Sequence, residues 1–300
     1  MRLLYEIIRD YKSLSPIFGL FKTYDKSMKK TFWVIFIGTI VPIAIAFIAT
    51  LSSCSKKADE IAVDSTRHIQ IIAAPHYDYP DAKLEIVSPK EGQVLKNASD
   101  SVRVVMQVSG ATLGVPTGAD STLGIAYSKQ GQHVHVIVDD KPYMAYYKNG
   151  EPFNVGVLAP GIHTIRAFPS FSWHESIKSP NAFATRTFYV GASATDNMTP
   201  PNNLNGPLLT YSRPKGTYTG GEDAKVLLDF FVSNATLGPD AYKVKLWVDT
   251  AAMPDITRWQ PYYIEGLTSG KHTLRLVLLA PNGSVVPGPY NSPSGEITIK

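Results

Sequence analysis

The chain has 300 residues, of which 44% are hydrophobic and 18% charged, and its formal net charge is +4 at pH 7. The excess positive charge lies in the first 53 residues, so the remainder is neutral and lacks the basic field that attracts nucleic acid. This composition excludes a disordered chain and a nucleic-acid-binding protein, and the length allows about two domains at ~100–200 residues each.

The N-terminal region has the parts of an export signal. Lys29 and Lys30 precede an apolar segment at 31–51, and small residues lead from there to Cys54, the single cysteine of the chain. A short positive start, an apolar core and small residues before a cleavage point are typical of a secretory signal. We therefore interpret residues 1–53 as a signal peptide or anchor, with Met28 as the expected start.

The sequence LSSC, which ends at Cys54, resembles a bacterial lipobox. The resemblance implies cleavage before Cys54 and acylation of this residue, which then anchors the protein in the outer membrane or on the periplasmic face of the bacterial envelope. Several acyl chains anchor a protein firmly, whereas one chain binds only marginally. Residues 54–83 are polar and are interpreted as the lipidated tether.

An uncleaved helix at 31–51 is the alternative, because about 20 apolar residues suffice to span a bilayer. In that case the chain is an accessory subunit of a membrane complex.

The rest of the chain contains two copies of one module. The matching motifs are SPKEG at 88–92 and RPKG at 213–216, SGATLG at 109–114 and SNATLG at 233–238, HVHVIVD at 133–139 and KVKLWVD at 243–249, and PGIHTIR at 160–166 and SGKHTLR at 269–275. Four matches in the same order indicate an internal duplication. We place the first copy at 84–191, a Pro/Asn/Gly linker at 192–206 and the second copy at 207–300.

Each copy consists of short alternating segments bounded by turn residues. In the first copy they lie at 84–87, 102–108, 133–138, 143–147, 153–158, 161–168 and 184–190. Short strands without helical periodicity are typical of an antiparallel sandwich. The segments LAPGIHTIRAF and LTSGKHTLRLVLL also resemble the penultimate strand of bacterial Ig-like and fibronectin-like modules. The predicted fold is therefore all-β, with two tandem Ig-like sandwiches after an N-terminal signal or anchor helix.

Two histidines, His133 and His135, share one face of a predicted strand. The second copy has Lys243 and Lys245 at these positions, and lysine almost always faces water, so we expect this face to be exposed. Zinc usually takes four ligands. The sequence does not supply the third and fourth ligands nearby, and the conceivable additional ligands are His174, Asp139 and Asp140. We therefore expect no metal or other cofactor, and a periplasmic metal-binding protein is kept as an alternative.

One histidine occupies the same place in both copies, as His163 in the first and His272 in the second. Retention by both copies indicates a shared structural role. We expect each of these histidines to be half-buried and to bond a loop carbonyl.

No sequence pattern indicates catalysis, because the chain has no nucleophile elbow, metalloprotease helix, phosphate-binding loop or calcium loop. We therefore expect a non-enzymatic binding or structural module that contacts an envelope protein or glycan. Loop aromatics can anchor such partners. The candidate partner-binding residues are Tyr146, Tyr147, Phe171, Trp173, His174 and Glu175. Trp173 is expected to be exposed, and the alternative is that it folds back to cover the sandwich edge.

Overall fold

The computed structural model describes residues 68–118, 126–191 and 204–300, which belong to the compact unit Ser65–Lys300. The predicted signal or anchor at 1–53, the part of the tether at 54–67, which includes Cys54, and the part of the linker at 192–203 lie outside the described residues. Among the described residues, no helix has the length and apolar character needed to cross a bilayer. The described structure is all-β, as predicted, with only single turns of 3-10 helix between strands.

The first copy forms a sandwich of two sheets. Its strands are β2 (Lys83–Ser88), β3 (Gln93–Leu95), β4 (Ser101–Ser109), β5 (His133–Val138), β6 (Met144–Tyr146), β7 (Pro152–Val157), β8 (Gly161–Ser170) and β9 (Ala184–Val190). The sheets have the orders β2-β4-β7 and β3-β9-β8-β5-β6. Alternate residues of β4 and β5 point between them, into a core that includes Val104, Met106, Val134, Val136 and Phe188.

The second copy repeats this arrangement. Its strands are β10 (Leu208–Arg213), β11 (Gly216–Tyr218), β12 (Val226–Ser233), β13 (Lys243–Val248), β14 (Ala251–Ala252), β15 (Tyr262–Glu265), β16 (Gly270–Leu279) and β17 (Ser294–Ile299). They form the sheet β11-β17-β16-β13-β14 and, with β1 (Gln70–Ala73), the sheet β1-β15-β12-β10. The core between these sheets includes Leu228, Phe230, Leu246, Leu276 and Ile297.

Strand β1 corrects the interpretation of residues 54–83 as a plain tether. It pairs antiparallel with β15, from Gln70 opposite Glu265 to Ala73 opposite Tyr262. A segment that precedes the first sandwich therefore completes a sheet of the second one. Its four residues are too few to show a periodicity that the sequence analysis could detect.

The two sandwiches pack against each other through strand faces that point away from their own cores. The alternation of apolar and polar residues alone would assign these faces to the solvent. The outer residues of β5 and β8 lie against those of β10 and β12, where Phe168 stacks on Phe231 with ring centroids 5.4 Å apart. A second contact cluster joins Trp173 and Ile177 of the loop after β8 to Leu227 of β12. The outer face of the first copy is therefore covered by protein.

The paired histidines His163 and His272 confirm the predicted contact with a loop carbonyl. His163 Nε2 lies 2.8 Å from the Ala159 carbonyl, and His272 Nε2 lies 2.8 Å from that of Thr268. Each Nδ1 faces an aspartate, Asp139 at 2.9 Å in the first copy. Both histidines are more buried than predicted, with 8% and 7% of their surface exposed.

The Asp139–His163 pair favours the charged form of both groups. The hydrogen bond from His163 to Asp139 raises the pKa of His163 in spite of its burial. Burial raises the pKa of Asp139, but hydrogen bonds from His163 and from the Thr164 N–H outweigh it and leave the pKa lowered. His163 therefore adds stability below its unfolded pKa and loses it as pH rises through the folded pKa. Asp139 adds stability above its unfolded pKa and loses it as pH falls through the folded pKa.

Asp139→Asn is expected to destabilise the protein most where both groups are charged, between roughly pH 4 and 6.5. The deficit should shrink as pH rises past the raised pKa of His163, because the wild type then loses the charged pair. Urea denaturation at several pH values measures this. Asp255→Asn removes the exposed ion pair with Lys245 and serves as the control, with a nearly constant deficit over the same range. An Asp139→Asn deficit that does not vary with pH would contradict the prediction.

Candidate functional site

Three histidines meet where the first sandwich is covered by the second. His133 and His135 project from the outer face of β5, and both are fully buried. The predicted exposure of this face is therefore wrong, since the second sandwich covers it. His174 reaches the same place from the loop after β8 and has a backbone φ of 68°. Among the described residues, these three form the group suited to a metal ion.

The three rings present one nitrogen each to a common point. His133 Nε2 lies 3.0 Å from His174 Nδ1 and 3.1 Å from His135 Nε2. All three nitrogens lie within 4.8 Å of one another. Ligands around a tetrahedral zinc are about 3.3 Å apart, given Zn–N bonds of about 2.0–2.1 Å. Two of the three separations are close to this value, and the third is at most 4.8 Å.

The opposite nitrogens of two rings are fixed by the protein. His133 Nδ1 lies 2.9 Å from the Gly131 carbonyl, which can only accept, so this nitrogen carries a proton. His135 Nδ1 lies 3.2 Å from Ser212 Oγ on β10. When both outer nitrogens donate, both Nε2 atoms direct lone pairs towards the common point. Outer hydrogen bonds of this kind orient metal-bound histidines in known sites.

The environment keeps the three imidazoles neutral. Burial lowers the pKa of His133 to about 4 and that of His174 to about 2. Burial also lowers the pKa of His135 well below its usual value. The positive charges of Arg213 and Lys215 act in the same direction on all three. Neutral imidazole is the form that binds a metal.

Tyr143 connects the histidines to these two cations. Its ring stacks on His135 with centroids 3.6 Å apart, and its hydroxyl lies 3.3 Å from His174 Nδ1. On its other side Lys215 Nζ lies 3.6 Å from the ring centroid, and Arg213 Cζ lies 5.5 Å from it. The histidine group and a positively charged group thus flank one aromatic side chain.

The other conceivable metal ligands lie elsewhere. Asp139 bonds His163, and Asp140 lies 3.7 Å from Arg166. Neither carboxylate belongs to the three-histidine group.

The expected exposure of the partner-binding candidates is wrong for three of them. Phe171, Trp173 and Glu175 are at most 3% exposed, and they lie in the contact between the sandwiches. The Trp173 indole N–H donates to Glu175 Oε2 at 2.7 Å. The alternative, in which Trp173 covers the sandwich edge, is confirmed.

The remaining candidates are also engaged within the fold. Tyr146 belongs to the core of the first sandwich, and its hydroxyl donates to the Glu151 carbonyl at 2.7 Å. Tyr147 is partly buried, and its hydroxyl lies 2.8 Å from Ser128 Oγ. Of the six candidates, only His174 takes part in the three-histidine site.

Sequence reasoning missed Tyr143, Ser212, Arg213 and Lys215 as neighbours of the histidines. Arg213 and Lys215 belong to the motif RPKG, which the duplication identified only as a repeat landmark. The first copy has SPKEG there, so Arg213 is peculiar to the second copy. This difference was the one signal that could have drawn attention to it.

No protein-family model and no curated protein matches the chain. The fibronectin(III)-like modules of Clostridium thermocellum CbhA are 12% identical, with 72% of this chain and 94% of that chain covered and a TM-score of 0.25. Bacteroides ovatus SGBP-B, solved in complex with a mixed-linkage heptasaccharide, is 8% identical over 78% and 70%, with a TM-score of 0.21. The bacteriophage RB49 capsid protein Hoc is 11% identical over 73% and 70%, with a TM-score of 0.21. The likeness is one of β-sandwich modules at low similarity, and it says nothing about a ligand.

Proposed function

We propose that the protein is a lipid-anchored, non-enzymatic metal-binding protein of the bacterial envelope. In this proposal it consists of two tandem Ig-like modules, and it holds a transition-metal ion through His133, His135 and His174. The sequence analysis expected no metal and kept a periplasmic metal-binding protein as an alternative, and this proposal adopts that alternative.

The convergence of three neutral imidazole nitrogens carries the proposal. When Ser212 accepts from His135 Nδ1, the Nε2 lone pairs of His133 and His135 face each other at 3.1 Å and repel each other unless a cation lies between them. When Ser212 donates instead, His135 Nε2 donates a neutral hydrogen bond to His133 Nε2, and a metal ion replaces that hydrogen bond. The lowered pKa values disfavour an additional proton that would make either ring positive, since that charge would be buried beside Arg213 and Lys215. A metal ion bonds to both nitrogens directly and offsets its desolvation by these bonds. Imidazole ligands suit zinc and copper among the available metals.

The envelope location rests on the sequence around Cys54. An apolar segment that ends in LSSC supports processing to a lipoprotein, and residues 54–67 then connect the lipid to the folded part. Intact-mass analysis of membrane-extracted protein should show a chain that begins at Cys54 and carries acyl groups. Wild-type chain that retains residues 31–53 without lipid would instead favour the membrane-subunit alternative.

The full chain is expected to bind one zinc ion with sub-micromolar affinity, and His174→Ala should weaken this affinity at least a hundredfold. Removal of one of three protein ligands leaves too few bonds to compensate for the dehydration of the ion. Isothermal titration calorimetry measures the affinity, and circular dichroism verifies that the variant is folded.

The matched control is His68→Ala, because His68 is an exposed histidine outside the group. Its zinc affinity should equal that of the wild type. Wild-type protein that binds no zinc, or a folded His174→Ala variant with unchanged affinity, would end the metal-binding proposal.

A further inference from the structure

Arg213 is a buried cation that forms no ion pair with another described residue. Arg213 is 6% exposed, and its Nε has no hydrogen-bond partner within the described structure. Neither Arg213 nor the half-buried Lys215 belongs to any of the ion pairs formed among the described residues. A buried charge is costly unless an opposite charge or strong hydrogen bonds compensate for it. This pair of cations therefore favours the binding of an anion nearby.

The cations lie next to the three-histidine site. The Tyr143 ring lies between Lys215 and the histidines. His135 stacks on one side of this ring, and Lys215 Nζ lies on the other. Lys215 Nζ also lies 3.4 Å from the Tyr143 carbonyl, which holds the ammonium group in this place.

Three histidines leave the coordination of a zinc or copper ion incomplete. Sites with three protein ligands keep a fourth position for water or another small ligand. Imidazole binds a metal in its neutral form, so a divalent ion adds its whole charge to those of Arg213 and Lys215. A negatively charged fourth ligand reduces this repulsion, whereas a neutral one leaves it.

Tyr143 is poorly placed to be that ligand itself. A metal bonded to His135 Nε2 lies near the imidazole plane, about 2.0–2.1 Å from the nitrogen. The Tyr143 ring is parallel to that plane within 10° and its centroid is 3.6 Å away. Its hydroxyl oxygen consequently lies more than a metal–ligand bond length out of the plane. From there it can donate a hydrogen bond to a ligand in the fourth position.

We propose that the metal ion at this site takes a small anion as its fourth ligand, stabilised by Arg213, Lys215 and the Tyr143 hydroxyl. This inference rests on the proposed metal-binding function. Chemically suitable anions are monovalent and compact, such as hydroxide or a small carboxylate, since the three rings are in direct contact with one another.

The test uses the full chain loaded with Cu(II), with sodium azide as the probe anion. Copper content is measured first by elemental analysis, and azide is then titrated while the azide-to-copper charge-transfer absorption is followed. The wild type should show a saturable band. Lys215→Gln should keep its copper and bind azide at least tenfold more weakly. Lys245→Gln changes an exposed lysine of the second copy and should behave as the wild type.

The possible outcomes separate the two proposals. A wild type that contains stoichiometric copper but gives no azide band overturns the anion site and leaves metal binding intact. Equal azide affinities of the wild type and Lys215→Gln overturn the role of the cations. A tyrosinate-to-copper band without azide, absent from Tyr143→Phe, shows that Tyr143 occupies the fourth position and also overturns the inference. A wild type that takes up neither copper here nor zinc in the calorimetric titration refutes both proposals.

Discussion

Asp229→Asn is expected to lower the free energy of unfolding by about 3–5 kcal/mol, the usual cost of removing one partner from a buried ion pair. The Asp229 and Lys178 side chains are 0% and 2% exposed, and Lys178 Nζ donates to Asp229 Oδ1. Asp229 also accepts from the N–H and the hydroxyl of Ser176, each at 3.0 Å. Asparagine fits the space, but it leaves the Lys178 ammonium buried without a negative charge.

Urea denaturation of the full chain measures the effect, and two variants serve as controls. Glu296→Gln removes the exposed ion pair with Lys271 and should cost no more than about 1 kcal/mol. The double variant Asp229→Asn/Lys178→Met should regain part of the loss, because it removes the uncompensated charge as well. A single Asp229→Asn variant as stable as the wild type would show that this network contributes nothing to the contact between the sandwiches.

Trp173→Ala is expected to cost about 3–5 kcal/mol, the usual range for truncation of a large buried aromatic. The Trp173 ring stacks on Phe171 with centroids 4.8 Å apart and also contacts Tyr77 at 5.3 Å. Its removal leaves a cavity between the sandwiches and deprives Glu175, itself 1% exposed, of its indole donor. The melting temperature should therefore fall by many degrees.

Trp247→Ala is the matched control for this loss. Trp247 lies on the outer face of β13, is partly exposed and contacts Arg275, whose Cζ is 4.2 Å from its ring. Its truncation should cost much less than that of Trp173. The cost of Trp173→Phe in unfolding free energy should lie between those of Trp173→Ala and Trp247→Ala, since this variant keeps an aromatic ring and loses the hydrogen bond to Glu175. Equal losses at Trp173 and Trp247 would contradict the buried position of Trp173.

The fold could be predicted because its signals are local. Alternation along HVHVIV assigns Val134 and Val136 to the sandwich core, and both are fully buried. The same alternation says only that His133 and His135 face the other way. What covers that face is decided by β10 and β12, which lie far along the chain. The comparison with Lys243 and Lys245 therefore gave a wrong prediction of exposure, because the outer face of β5 is covered whereas that of its counterpart β13 stays partly exposed.

The candidate site was predictable in part for the same reason. Two ligands at alternate positions of one strand are a local pattern, and His174 was conceivable as a third. Arg213 and Lys215 were not, because a contact between separate sandwiches leaves no periodic trace in the sequence. The prediction that the loop aromatics are exposed was wrong for a related reason. The local sequence does not distinguish a tryptophan that is buried in such a contact from one that binds a partner.

Strand β1 imposes an order on the folding of the chain. It is made before either sandwich, yet the residues that Gln70 and Ala73 face, Glu265 and Tyr262, are synthesised near the end. Domains generally fold from the N-terminus as they emerge, and pairings between distant residues form slowly. The earliest strand of the described structure is therefore among the last to be placed. A nascent chain that stops short of β15 keeps β1 unpaired, so β1 docks only on a nearly complete protein.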